Sequence, residues 1–98
     1  MTSYTEEAIN LAELLVKKQI AYGDAFGQSQ KVIRALYPKG IQPDQYQDAL
    51  AIIRVIDKLF RIANQKNAFG EDPWRDIAGY GLLSVVHHKK NREDHVCR

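Results

Sequence analysis

The sequence predicts an all-α fold: a small, four-helix, bundle-like domain that associates with copies of itself. Three observations carry this reading. Apolar residues recur at helical spacing in four segments, and no stretch alternates as a strand would. Capping residues or proline stand at the starts of three of the four segments, and glycine or proline follows the first two. The chain has 98 residues, room for one domain with a thin stability margin, and association is a common way for such a domain to bury more surface.

The first helix is expected from Ser3 to about Tyr22. Ser3 and Glu6 have capping-box spacing. Ile9, Ala12, Leu15 and Val16 make an apolar stripe that Leu11 and Leu14 widen. Glu6 and Glu7 come early and Lys17 and Lys18 late, as the helix dipole favours. Gly23 and Gly27 bracket a bend. A shorter helix follows from about Ser29 to Leu36, with Val32, Ile33 and Leu36 apolar, and Pro38 and Gly40 close it. The third helix opens at Pro43, a residue suited to a first helical position, and runs to about Asn64. Its apolar face is broad (Tyr46, Leu50, Ile53, Ile56, Leu59, Phe60, Ala63, with Ile52 and Val55), which predicts a central helix. A loop from Asn64 to Gly70 leads to the fourth helix, with Asp72 as N-cap and Pro73 next, ending near His88. Residues 1–88 are read as one domain and 89–98 as a polar tail that frays.

Composition excludes several classes. With 45% hydrophobic and 27% charged residues, the chain is globular rather than disordered. A formal net charge of +2 is too weak to argue for nucleic acid as partner. No apolar run approaches the roughly 20 residues of a membrane span, so no membrane association is expected. The N-terminus is acidic and lacks the order of a signal peptide. A cytoplasmic location follows by default. The lone Cys97 excludes an internal disulfide and makes no metal site by itself. His87 and His88 point about 100° apart on a helix and form no metal pair. His95 and Cys97 in the tail offer at most adventitious metal binding.

Two constellations carry chemistry. Arg54, Asp57, Lys58 and Arg61 lie at i, i+3, i+4 and i+7 on one face of the third helix. Three cations beside one carboxylate suit phosphate oxygens, and Asp57 would hold a divalent metal or orient an arginine. The same spacing equally describes a solvated face with Arg54–Asp57 and Asp57–Arg61 pairs. On the fourth helix Asp72, Asp76 and Tyr80 lie at i, i+4 and i+8, with Glu71 just before them. Carboxylates one turn apart can hold Mg2+, or Asp72 can simply cap the helix and Asp76 pair with Arg54 or Arg61. The short loop predicts antiparallel packing, which brings Asp57 and Arg61 toward Asp72 and Asp76. Gly79 and Gly81 each cost roughly 1 kcal/mol in mid-helix, so close helix approach or ligand access to the backbone should compensate. Tyr22 and Phe26, around Gly23, either stack a base or pack in a core or hinge; Lys31 and Arg34 would add charge to the same pocket. No serine–histidine–acid set, glycine-rich phosphate loop or zinc knuckle is present.

Three blocks in order resemble the nucleotide-modification-associated domain family of phages and prophages. They are Tyr22-Gly23-Asp24-Ala25-Phe26, Arg54-Val55-Ile56-Asp57-Lys58-Leu59-Phe60-Arg61, and Glu71 through Tyr80, together spanning most of the chain. That family in turn resembles the all-α, MazG-like nucleoside triphosphate pyrophosphohydrolases. The resemblance implies an oligomeric helical bundle that handles nucleotides in the host cytoplasm. It implies Asp57, Asp72 and Asp76 as Mg2+ ligands, with Asp57 and Asp76 catalytic. It implies Arg54, Lys58 and Arg61 at the ligand's phosphates, and Tyr22, Phe26 and Tyr80 are expected to complete the ligand-binding set. Mg2+ is expected only if the protein is an enzyme. The enzymes' early Glu-x-x-Glu pair has no counterpart in the spacing of Glu6, Glu7 and Glu13. Two further readings stand beside hydrolysis: a non-catalytic anti-defence sponge for a linear or cyclic nucleotide, and a protein–protein inhibitor or accessory subunit.

Overall fold

A computed structural model describes residues 3–65 and 68–96. Among them the protein is all-helical, without a strand. The elements are α1 (Tyr4–Tyr22), α2 (Ala25–Leu36), α3 (Tyr46–Ala63) and α4 (Pro73–Val96), with short 3-10 turns at Pro43–Gln45 and Ala68–Gly70. No helix is long and apolar enough to cross a membrane among these residues. Met1, Thr2, Lys66, Asn67, Cys97 and Arg98 lie outside the described residues, and so does the side chain of His95.

The predicted caps form. The Ser3 hydroxyl accepts the Glu6 N–H at 3.1 Å. Gly23 closes α1 with φ +66, a conformation open to glycine at little cost. Asp24 follows, also left-handed at φ 56, and its Oδ1 accepts the Gly27 N–H at 3.2 Å. This cap starts α2 at Ala25 rather than near Ser29, so Gly27 sits inside the first turn instead of marking a second bend. Pro43 opens a 3-10 turn, tied by the Gln42 N–H donating to Gln45 Oε1 at 2.9 Å, and α3 begins three residues later than expected.

Asp72 caps α4, its Oδ1 accepting the Arg75 N–H at 3.3 Å. Contrary to the expected end near His88, α4 continues to Val96. Residues 89–92 contain neither glycine nor proline to stop it, and Lys89, Lys90 and Arg92 suit a helix C-terminus.

Helix α3 is central, as its broad apolar face predicts: it packs on α4, α2 and α1, and Ala49 and Ile56 are buried. The bundle itself is not closed. Only the last turn of α1 reaches the core, where Ala21, Tyr22 and Ala25 are buried against Phe60. From Tyr4 to Ile20 no side chain of α1 is buried. The stripe expected to enter the core is therefore left exposed. The radius of gyration is 17.7 Å, against about 13 Å for a compact domain of this length.

Candidate functional site

Helices α3 and α4 run antiparallel, and a series of polar contacts marks their register. Asp48 meets His88, Oδ1 to Nε2, at 2.7 Å. Arg54 Nη1 donates to the Tyr80 hydroxyl at 3.5 Å. Lys58 Nζ lies 3.7 Å from Asp76 Oδ2. Arg61 pairs with Glu71. Moving up α3 is thus moving down α4, and the two constellations meet as the short connection predicts.

The innermost part is built on Tyr22 and Arg61. Tyr22 is 6% exposed and donates its hydroxyl to Glu71 Oε2 at 3.1 Å. Arg61 stands over the Tyr22 ring, 4.5 Å from the centroid, and reaches the same Glu71 oxygen. It also pairs with Asp57, Nη2 to Oδ2, at 3.2 Å. Its Nε is buried without a hydrogen-bond partner among the described residues. Burial, and then the hydrogen bond to Glu71, push the Tyr22 phenol above its ordinary value, against the lowering pull of the Arg61 charge. Phe69, left-handed at φ 59, packs edge-on to Tyr22 at 5.8 Å, and the Lys18 ammonium lies 5.6 Å above it.

One turn along, the Lys58 ammonium sits between two carboxylates, 3.6 Å from Asp57 and 3.7 Å from Asp76. Further out, Arg54 lies 5.7 Å from the Tyr80 ring centroid. Both line an open groove of about 290 Å3 with Gln47, Leu50, Leu83 and Ser84. Arg54 has no carboxylate partner among the described residues, whereas Lys58 and Arg61 are both paired within the chain.

The structure therefore brings together Tyr22, Asp57, Lys58, Arg61 and Asp76, with Arg54 and Tyr80 beside them. It does not bring in Asp72, whose carboxylate serves the cap of α4. Nor does it join Tyr22 and Phe26 in a stacking pocket. The Tyr22 ring is covered by Arg61 and Phe69, while Phe26 is 95% exposed on the first turn of α2. Lys31 and Arg34 are exposed on α2. Sequence reasoning noted Glu71 but gave it no place in the site, where it is a hub. It also missed Phe69. The adjacency of Glu71 to the helix start was the one available signal; nothing in the sequence marks Phe69 as left-handed.

The donor set can be tested against Mg2+. Among the described residues no three His, Cys, Asp or Glu side chains converge as a ready metal site. Mg2+ can be held by one or two carboxylates when phosphates and water complete its shell. Asp57 and Asp76, already facing one cation, meet that minimum.

The fold and this cluster define a small all-α domain with a polar seam between two antiparallel helices. Set against known protein families, curated proteins and solved structures, the chain matches none.

Proposed function

We propose that this protein binds a phosphorylated nucleotide along the α3–α4 seam and acts as a homo-oligomer in the cytoplasm of a phage-infected or prophage-bearing host. The observation that carries the reading is Arg54 beside Tyr80 in an open groove. An arginine without a carboxylate partner among the described residues presents a guanidinium fork that fits phosphate, and the adjacent aromatic ring suits a base. Lys58 lies one turn away, within reach of a second phosphate once it leaves Asp57 or Asp76.

Ion pairing within the chain favours capture over turnover. Asp57, Glu71 and Asp76 each contact Lys58 or Arg61, so each carboxylate already has a cation beside it where a metal would have to bind. This supports a binding protein that sequesters a linear or cyclic nucleotide. Hydrolysis is the second reading, favoured by the convergence of Asp57 and Asp76. In it those two carboxylates would hold Mg2+ together with the ligand's phosphates, and the ion would polarise the phosphoryl group. Arg54 and Lys58 would orient the phosphate chain.

Melting temperature measured against linear and cyclic nucleotides, with and without Mg2+, tests both. The proposal expects a rise with at least one nucleotide, lost in Arg54→Ala. Recovery of the ligand unchanged supports capture; Mg2+-dependent release of pyrophosphate, abolished in Asp76→Asn, supports hydrolysis. No shift with any nucleotide overturns the proposal.

A further inference from the structure

We propose that the α3–α4 groove takes its ligand in one direction, with a phosphate on Arg54 and an adenine base between Tyr80 and Gln47. This rests on the nucleotide reading above and names the base and the polarity of binding.

The α3 side of the groove changes character along its length. At 100° per residue, Gln47, Leu50, Arg54 and Lys58 fall within about 80° of one another and make one stripe. Gln47, Leu50 and Arg54 line the groove itself. Lys58 continues the stripe toward Asp76. An amide thus stands at one end, an apolar wall in the middle and cations at the other end. At 1.5 Å per residue, Gln47 and Arg54 are separated by about 10 Å along the helix axis. Among the described residues that line the groove, Arg54 is the one cation. A phosphate therefore finds its counter-charge at that end alone. Toward Gln47 the walls are Leu50 and Leu83, 60% and 67% exposed. A flat base laid between them would remove apolar surface from water.

The polar groups at the neutral end favour adenine. Gln45 Oε1 accepts the Gln42 N–H, and Gln42 Nε2 donates to the carbonyls of Lys39 and Gly40. Those two amides hold the turn that opens α3. Gln47 is exposed and joins none of these contacts. Its carboxamide offers a donor and an acceptor side by side, which complements the N6 and N7 edge of adenine. Guanine presents two acceptors on the same edge, a pattern that suits arginine or lysine. Ser84 adds to the selection. Its hydroxyl donates to the Tyr80 carbonyl at 2.9 Å, so only its acceptor capacity remains for a ligand. An exocyclic amino group can use that acceptor, and a base carbonyl cannot.

The test measures binding by calorimetry on the full chain. Adenosine, its 5′-phosphates and 3′,5′-cyclic AMP are compared with the guanine and cytosine counterparts and with inorganic phosphate. An adenine nucleotide, linear or cyclic, should bind tightest, ahead of adenosine and of phosphate alone. Gln47→Leu should weaken it about tenfold or more, the discrimination of one bidentate pair, and should leave phosphate binding unchanged. Arg54→Ala should weaken both. Gln47→Glu suits the first turn of α3 but can only accept, so it should lose adenine nucleotides and gain guanine or cytosine nucleotides relative to the native chain. Circular dichroism confirms that each variant remains helical. Tightest binding of a guanine or cytosine nucleotide, or adenine binding that ignores Gln47→Leu, overturns this inference and leaves the nucleotide reading standing. Guanosine binding as tightly as its phosphates would put Arg54 on the base and overturns it as well. No binding of any nucleotide overturns both.

Discussion

The Arg61 guanidinium lies over the Tyr22 ring, 4.5 Å from its centroid, and both side chains end on one oxygen of Glu71. Two helices, α1 and α3, and the loop before α4 are tied at this point. Tyr22→Phe removes the hydroxyl and keeps the stacked ring. A loss of about 0.5–1.5 kcal/mol is expected in denaturant unfolding, the usual net worth of one hydrogen bond.

The same tyrosine sets a pH dependence. Its phenol is raised in the folded protein, so the folded state holds the proton more tightly than the unfolded chain. The associated stability is fully present below the ordinary tyrosine range near pH 10 and is lost as pH rises through the higher folded value. Unfolding followed from pH 8 to 11.5 should show a steeper alkaline loss for the native chain than for Tyr22→Phe.

Glu71→Gln should cost more than Tyr22→Phe, about 1–3 kcal/mol, because it weakens charge-assisted contacts to an arginine whose side chain is 14% exposed. Asp57 remains as a second partner, which keeps the loss from being larger. The comparison of denaturation midpoints at constant m-value checks this ordering.

Glycines divide into two kinds. Gly23→Ala should destabilise by more than about 1 kcal/mol, since φ is +66 and the new methyl would overlap the Asn64 side chain. Gly79→Ala and Gly81→Ala should each raise stability by about 0.5–1 kcal/mol, because a Cβ at either position meets nothing within 4 Å. Thermal melts of the three variants read both signs.

Lys58→Met leaves Asp57 and Asp76 facing each other without their shared cation. The loss should be under about 1 kcal/mol, because the two carboxylates are 42% and 45% exposed and water screens them. Millimolar Mg2+ should recover more stability in this variant than in the native chain, measured as the shift in melting temperature.

The helices were legible because their signals are local. Ser3 and Asp72 cap where their spacing says, Pro73 stands at the first turn of α4, and the short loop forces α3 and α4 antiparallel. Boundaries failed where a local cap outcompeted periodicity: Asp24 started α2 early, and a segment without breakers let α4 run on. The site was half legible. Spacing placed Asp57, Lys58 and Arg61 on one face, but which carboxylate each cation chooses depends on the facing helix. Burial of Tyr22 and the turn at Phe69 arise from packing between distant segments, which periodicity does not record. The direction of α1 was not legible, since an apolar stripe looks the same whether its partner is the same chain or another.

The bare turns of α1 have a consequence for local stability. A segment whose side chains find no burial inside its own chain lacks the tertiary packing that holds most helices in water. Its amide hydrogens should therefore exchange faster than those of the α3–α4 pair. The ordered length of α1 then follows local opening rather than the unfolding of the whole domain.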